Sequence, residues 1–309
     1  MVKNMKKNSP KYIGILFLTA LIWGFAFAFQ NIGGDSLGAF WFNGIRFFLG
    51  VLSLIPVILI FEREKMRGEK FKKTVWLGAL CGVILFAASS LQQYGILLTD
   101  SAGKAGFITG LYMVFVPLCG LFMHQKIRPE AWIGAVVAVI GLYFVSFANG
   151  IEPAGVGDLV LVIGSFFWTA HIVVIDRYAA KVSPLKFSMV QFLVCGLLCV
   201  VCALFTEEIT MEAVIEAKIP VLYCGIMSVG VAYTCQVIGQ RGTEPALASI
   251  ILCTESVFAA IGGWLLLHEY MGWRGYMGCA LIFCGIILSQ VKIWKGDKSN
   301  ERDSNQQRA

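Results

Sequence analysis

Ten apolar runs, each about as long as a bilayer is thick, follow one another along the chain with little between them. They cover Tyr12 to Ile32, Ala39 to Phe61, Val75 to Leu98, Gly103 to Met123, Ala131 to Phe147, Asp158 to Tyr178, Phe187 to Phe205, Ile219 to Gln240, Ala246 to Leu267 and Trp273 to Trp294. A hydrocarbon core about 30 Å thick is crossed by roughly 20 helical residues, and a helix satisfies its own backbone in lipid. With 58% hydrophobic and 14% charged residues among 309, the chain carries more apolar surface than a water-soluble fold can hide. The reading is an all-α integral membrane protein of ten transmembrane helices, multi-pass in the cell membrane, with the lipid bilayer as its first partner. The Lys-rich start and long first run read as an uncleaved helix rather than a signal peptide.

Charge sets the direction of the chain. Placing the amino terminus in the cytoplasm gathers Lys3 to Lys11, the cluster from Arg63 to Lys73, Lys126 with Arg128, Arg177 with Lys181 and Lys186, Arg241 and the tail on one side. That is 21 of the 25 basic residues, the bias expected of cytoplasmic loops. Both termini are then cytoplasmic. The formal charge of +6 is spread along the chain rather than gathered into one patch, so no nucleic-acid partner is implied.

The chain also repeats itself. Ser90 to Phe107 (SLQQYGILLTDSAGKAGF) lies over Thr234 to Ile251 (TCQVIGQRGTEPALASII) at an offset of 144, pairing Gln92 with Gln236, Gly95 with Gly239 and Thr99 with Thr243. The register runs on to pair His124 with His268, Gly134 with Gly278 and Gly141 with Gly285, and near an offset of 145 it pairs Trp23 with Trp168 and Arg46 with Gln191. The organisation read from this is a five-helix repeat over residues 12–148, an extracellular linker over 149–157, a second repeat over 158–294 and a cytoplasmic tail over 295–309. Five is odd, so the second copy enters the membrane from the opposite face. Two inverted five-helix repeats are an arrangement of secondary transporters, whose solute sites lie at the repeat interface near mid-bilayer. At the starts of the fourth and ninth helices, Thr99 or Asp100 and Thr243 or Glu244 are the expected caps, with Pro245 in a first turn.

The motifs ALIWGFAFAFQN in the first helix, NGIRFFLG in the second, AGKAGFITGLYMVFVPL in the fourth and LASIILCTESVFAAIGGWLLLHE in the ninth, in that order and duplicated, resemble the ten-helix EamA-like branch of the drug/metabolite transporter superfamily. The resemblance runs from about Ile13 to Gln290. It implies transport of small metabolites without ATP hydrolysis, commonly export of amino acids or related compounds. Two positions depart from the family pattern: Glu255-Ser256 stands where Glu-Pro is frequent, and Gln125 where the fourth helix often ends in glutamate, while Glu269 is kept.

Seven residues are candidates for the solute site: Trp23, Gln92, Tyr112, Trp168, His171, Gln236 and Glu255. Trp23 and Trp168 sit near mid-span, away from the interfacial belt, where an indole packs between helices or lines a cavity. Gln92 and Gln236 are mirrored amides that either line the site or tie helices together. Arg46 is an intramembrane cation, read first as snorkelling or structural and second as a seat for a substrate carboxylate. His171 is a candidate proton carrier or an interior hydrogen-bonding residue. Glu255 carries the sharpest question, since a charged side chain at a helix centre costs roughly 2.5–3.5 kcal/mol. It should face a cavity or a polar partner, either as a structural brace or as a group for coupling transport to protons.

The pocket these residues suggest is aromatic and amide-lined, suited to amino-acid-like or drug-like solutes. Phosphorylated solutes would call for several convergent cations. Uptake rather than export is the alternative, as is a phosphorylated metabolite. An intramembrane enzyme lacks its usual signatures here, with three scattered histidines, no HExxH and no GxSxG. A structural or signalling role is the remaining class. No cofactor or metal is called for: Cys195, Cys199 and Cys202, on one side of the seventh helix, read as small apolar packing residues. The assembly expected is a monomer or homodimer.

Overall fold

The computed structural model describes residues 8–62, 68–124, 127, 129–146, 155–178, 181–270 and 272–290. Among these the chain is helical throughout, with no strands. The helical rods are α1 (Pro10–Leu37), α2 (Ala39–Phe61), α3 (Gly68–Thr99), α4 (Ala102–Phe122), α5 (Pro129–Ser146), α6 (Val156–Tyr178), α7 (Pro184–Thr206), α8 (Lys218–Gln240), α9 (Pro245–Leu266) and α10 (Trp273–Gln290). A short helix, Met211–Glu216, precedes α8. Eight of the rods are long and apolar enough to cross a membrane; α5 and α10 are shorter apolar helices of 18 residues each. At the helical rise they extend about 27 Å, just under a bilayer core. Among the described residues, eight of the ten expected spans are thus full-length, and α5 and α10 end where the described residues end. Residues 149–154 of the linker, the tail 295–309, Gln125 and the cations Lys3, Lys6, Lys7, Arg63, Lys65, Arg67, Lys126 and Arg128 lie outside the described residues.

The bundle is turned inside out relative to a soluble protein. Leu52, Leu59, Trp76, Val83, Leu197 and Leu204 are exposed, while Asn43, Arg46, Gln93, Gln191 and Gln236 are buried. Such an exterior suits lipid, and with hydrocarbon on the outside close helix contact depends on small residues. Where α5 crosses α10, a Cβ on Gly134 would stand 2.5 Å from the Gly285 carbonyl oxygen, and one on Gly141 would stand 2.7 Å from that of Gly278. The two contacts are reciprocal: Gly134 touches the counterpart of Gly141, and Gly141 touches the counterpart of Gly134, as a two-fold relation requires.

Carboxylates close the helix ends in the same reciprocal way. Glu207, after α7, accepts from the Phe40 and Trp41 amides at the start of α2 at 2.8–3.0 Å. Its counterpart Glu62, after α2, accepts from the Ser183 hydroxyl at the start of α7. A helix start leaves amides without partners, and an anion there also meets the positive end of the helix dipole. Glu269, in the turn after α9, takes the Ala102 amide at 2.8 Å and lies near Ser101 and Gly103 at the start of α4. Burial holds its carboxyl above the ordinary range, against the opposing pull of those amides.

Local detail departs from the expected caps. Ser101, not Thr99 or Asp100, caps α4, its hydroxyl accepting from the Lys104 amide at 3.3 Å. Asp100 instead turns the chain in a left-handed conformation (φ 48°), which short polar side chains tolerate. Glu244 precedes α9 without a side-chain cap bond, and Pro245 fills the first helical position, where its missing N–H costs nothing. His124 and His268, the paired residues after α4 and α9, both take φ 56°.

Candidate functional site

Two of the rods are interrupted near mid-span. In α4 the break falls at Leu111 and in α9 at Cys253 and Thr254, each tightened by amides bonding three residues back: Leu111 to Ile108 at 3.2 Å, and Ser256 to Cys253 at 3.0 Å. α8 winds as a π-helix from Tyr223 to Tyr233. Wide turns of this kind are rare and shift the facing of every residue beyond them. These irregular segments meet α1, α2, α3 and α6 around a central chamber.

The chamber is lined by Trp23, Phe27, Gln30, Arg46, Gln92, Thr109, Tyr112, Trp168, Ile172, Ser228, Tyr233, Gln236 and Glu255. Its cavity volume is only about 20 Å³. Three aromatic rings form one wall: Trp23 meets Tyr233 edge-on at 4.7 Å, and Trp168 lies 6.2 Å from Trp23 and 6.1 Å from Tyr233. The Trp23 indole donates to the Ser228 carbonyl at 3.2 Å. Facing this wall, the Tyr112 hydroxyl of α4 donates to Glu255 Oε1 of α9 at 2.9 Å, across the two broken helices. One residue on, Ser256 donates to the Gly106 carbonyl at 2.6 Å, pinning α9 to α4 beside the carboxyl group.

Six of the seven candidates read from the sequence, Trp23, Gln92, Tyr112, Trp168, Gln236 and Glu255, lie on this chamber. The seventh, His171, stands behind it. Its Nε2 lies 3.0 Å from Gln191 Oε1, and its ring stands edge-on to Trp168 at 5.7 Å and Tyr233 at 6.1 Å. There it braces the aromatic wall rather than facing the space. Arg46 does not snorkel. It is 2% exposed, bonds Asn43 Oδ1 through Nε at 2.8 Å, and packs its guanidinium against the Phe42 and Phe47 rings while reaching the chamber. A side chain can reach water only if its helix is rotated to let it, and α2 is rotated inward.

Gln30, Thr109 and Ser228 were not singled out in the sequence. A signal for Gln30 exists: Trp23, Phe27 and Gln30 follow at i, i+4 and i+7, one face of α1. Ser228 offers none, because its carbonyl reaches Trp23 from within the π-helix. Several polar atoms of the lining are buried without a protein partner: Trp168 Nε1, both side-chain amide atoms of Gln236, Gln30 Oε1 and Thr109 Oγ1. Such groups are few in native proteins and ask for an explanation. Among the described residues no group of three His, Cys, Asp or Glu side chains is placed to hold a metal ion.

A multi-pass helical protein with a polar chamber buried among interrupted spans has the build of a membrane transporter. Comparison with known families narrows this class. The EamA-like transporter family matches residues 10–147 and again 155–290, and the chain belongs to that family. It is 28% identical to an uncharacterized transporter of Archaeoglobus fulgidus over 90% of this chain and 85% of that one. It is 24% identical to the uncharacterized transporter YoaV of Bacillus subtilis, over 90% of this chain and 95% of the relative. An S-adenosylmethionine/S-adenosylhomocysteine transporter of Chlamydia muridarum is also 24% identical, over 89% and 92% of the two chains. A protein of known crystal structure superposes with a TM-score of 0.76 at 19% identity over 92% of this chain and 97% of that one, and so shares the fold. The protein is a multi-pass membrane transporter.

Proposed function

We propose that the protein is a secondary transporter, not an enzyme, that exports small amphipathic metabolites such as amino acids by alternating access, without ATP hydrolysis. The observation that carries the reading is the set of unpartnered polar atoms on the chamber wall. A buried donor or acceptor left unpaired costs about 1–3 kcal/mol, and a bound solute relieves that cost. The chamber is too narrow for a metabolite as it stands, so binding requires the repeats to part toward one face or the other.

In this reading residues 12–148 and 158–294 are inverted repeats with ten crossings, α5 and α10 completing the set. The linker 149–157 lies outside, and both termini and the tail 295–309 are cytoplasmic. Trp23, Gln92, Tyr112, Trp168, Gln236 and Glu255 contact the solute, and His171 supports them from behind. Glu255 exchanges a proton as the chamber opens and closes, with Tyr112 as its partner in the closed form. The named substrates of the Chlamydia muridarum relative both contain an amino-acid group, in keeping with this choice of solute. A phosphorylated metabolite is the weaker reading, because among the described residues Arg46 is the one cation on the chamber wall. Import of the same solutes is the alternative direction, and the working unit is a monomer or homodimer.

Flux in sealed vesicles tests this. Export predicts saturable, ATP-independent movement of an amphipathic amino acid that responds to an imposed pH gradient. Glu255→Gln should keep the folded protein and abolish the gradient response. A gradient response unchanged in that variant removes Glu255 from coupling, and chemical turnover without net movement replaces the transport reading with an enzymatic one.

A further inference from the structure

The chamber wall carries one cation and one carboxyl group, and neither makes an ion pair among the described residues. Arg46 and Glu255 both line the space and are 2% and 4% exposed. Each is held on one side and open on another. Asn43 and the Phe42 and Phe47 rings fix the guanidinium. Glu255 has the Tyr112 hydroxyl on Oε1. The planar fork of an arginine suits a carboxylate, and so partial an engagement of a buried guanidinium leaves N–H donors for one. Arg46 lies four residues before the middle of α2, and Glu255 lies at the middle of α9. The rings of Trp23, Trp168 and Tyr233 lie on the wall they share. Aromatic faces also favour a cation.

Resting on the transport reading above, we propose that the solute is a zwitterion bound as one. Its carboxylate sits on Arg46 and its ammonium between Glu255 and the Trp23–Trp168–Tyr233 wall, with its apolar side chain along Phe27 and Ile172. Arg46 is a charge buried without an ionic partner, which is costly, and the carboxyl group of Glu255, bonded to Tyr112, ionises against an ammonium. A solute with both charges neutralises the pair together, whereas a singly charged analogue leaves one of them unmet. Recognition therefore selects for both groups on one small molecule.

The test compares three probes on the purified full-length protein: L-phenylalanine, its amide and 3-phenylpropionate, which lack neither charge, the carboxylate and the ammonium respectively. Binding is read by quenching of tryptophan fluorescence and by thermal shift. Each analogue should bind at least about tenfold more weakly than the parent. Arg46→Gln should erase the preference for acid over amide and spare the preference for amine, and Glu255→Gln should do the reverse. The wild-type comparison decides the matter even where a variant fails to fold. Equal binding of the three probes overturns the zwitterion site while leaving transport intact. No binding of phenylalanine at millimolar concentration overturns it too; the vesicle flux assay, run with a panel of other solutes, then shows whether the transport reading falls with it.

Discussion

The rim of the molecule and its chamber obey different rules. At the rim, positions about 144 residues apart do the same job: Gly134 meets Gly285 as Gly141 meets Gly278, and Glu207 closes α2 as Glu62 closes α7. At the chamber they do not. The counterpart of Glu255 is Leu111, and that of Arg46 is Gln191, which serves His171 behind the wall. α3 is an α-helix throughout, whereas its counterpart α8 carries the π-helical stretch Tyr223–Tyr233. Packing and capping are needed equally at both ends of a bundle, so duplication preserves them. A single central space is lined only once, so the two copies of each chamber position are free to differ.

This contrast can be broken at several points. The largest effect is expected in the chamber, where Glu255→Gln should abolish gradient-driven flux while Leu111→Gln leaves its pH response in place. Equal losses from both would mean that the carboxyl group acts only through packing. Next come the crossing glycines. Gly134→Val and Gly141→Val each force a side chain into a facing carbonyl, and overpacking of this kind costs about 1–3 kcal/mol. Matched drops in Tm are expected, and a harmless substitution at either site would show that α5 and α10 are not closely apposed there. The smallest effect belongs to the helix-end carboxylates. Glu207→Ala and Glu62→Ala should each lower stability by about 1 kcal/mol, with Glu207 the larger because it serves two amides. A null result at one of them would confine the reciprocal capping to one face.

Much of the architecture was legible because it depends on composition and period. Apolar length marks the spans, and the repeated SLQQYG and TCQVIG segments make Gln92 and Gln236 equivalent positions of the two copies. Depth along a helix is read directly from a sequence, which is why Glu255, Trp23 and Trp168 could be placed near the centre. Rotation about a helix axis is not. Arg46 has the length to reach water, and the close seating of α2 on its neighbours, with Gly50 against Val229 of α8, turns it inward instead. His171 is adjacent to the site in sequence yet behind it in space for the same reason. The π-helix has no propensity signal of its own, so the contribution of Ser228 was hidden. Ser101 displaced Thr99 and Asp100 as the cap because the turn before α4 runs one residue longer than the TDSA motif suggests.

The proposed transport depends most on the two copies entering the membrane from opposite faces so that they share one central space. Reporter tags inserted after residues 149 and 299 in intact cells test this directly. Tags on opposite sides, with the one after 149 outside, are the expected result; both tags on the same face would contradict it.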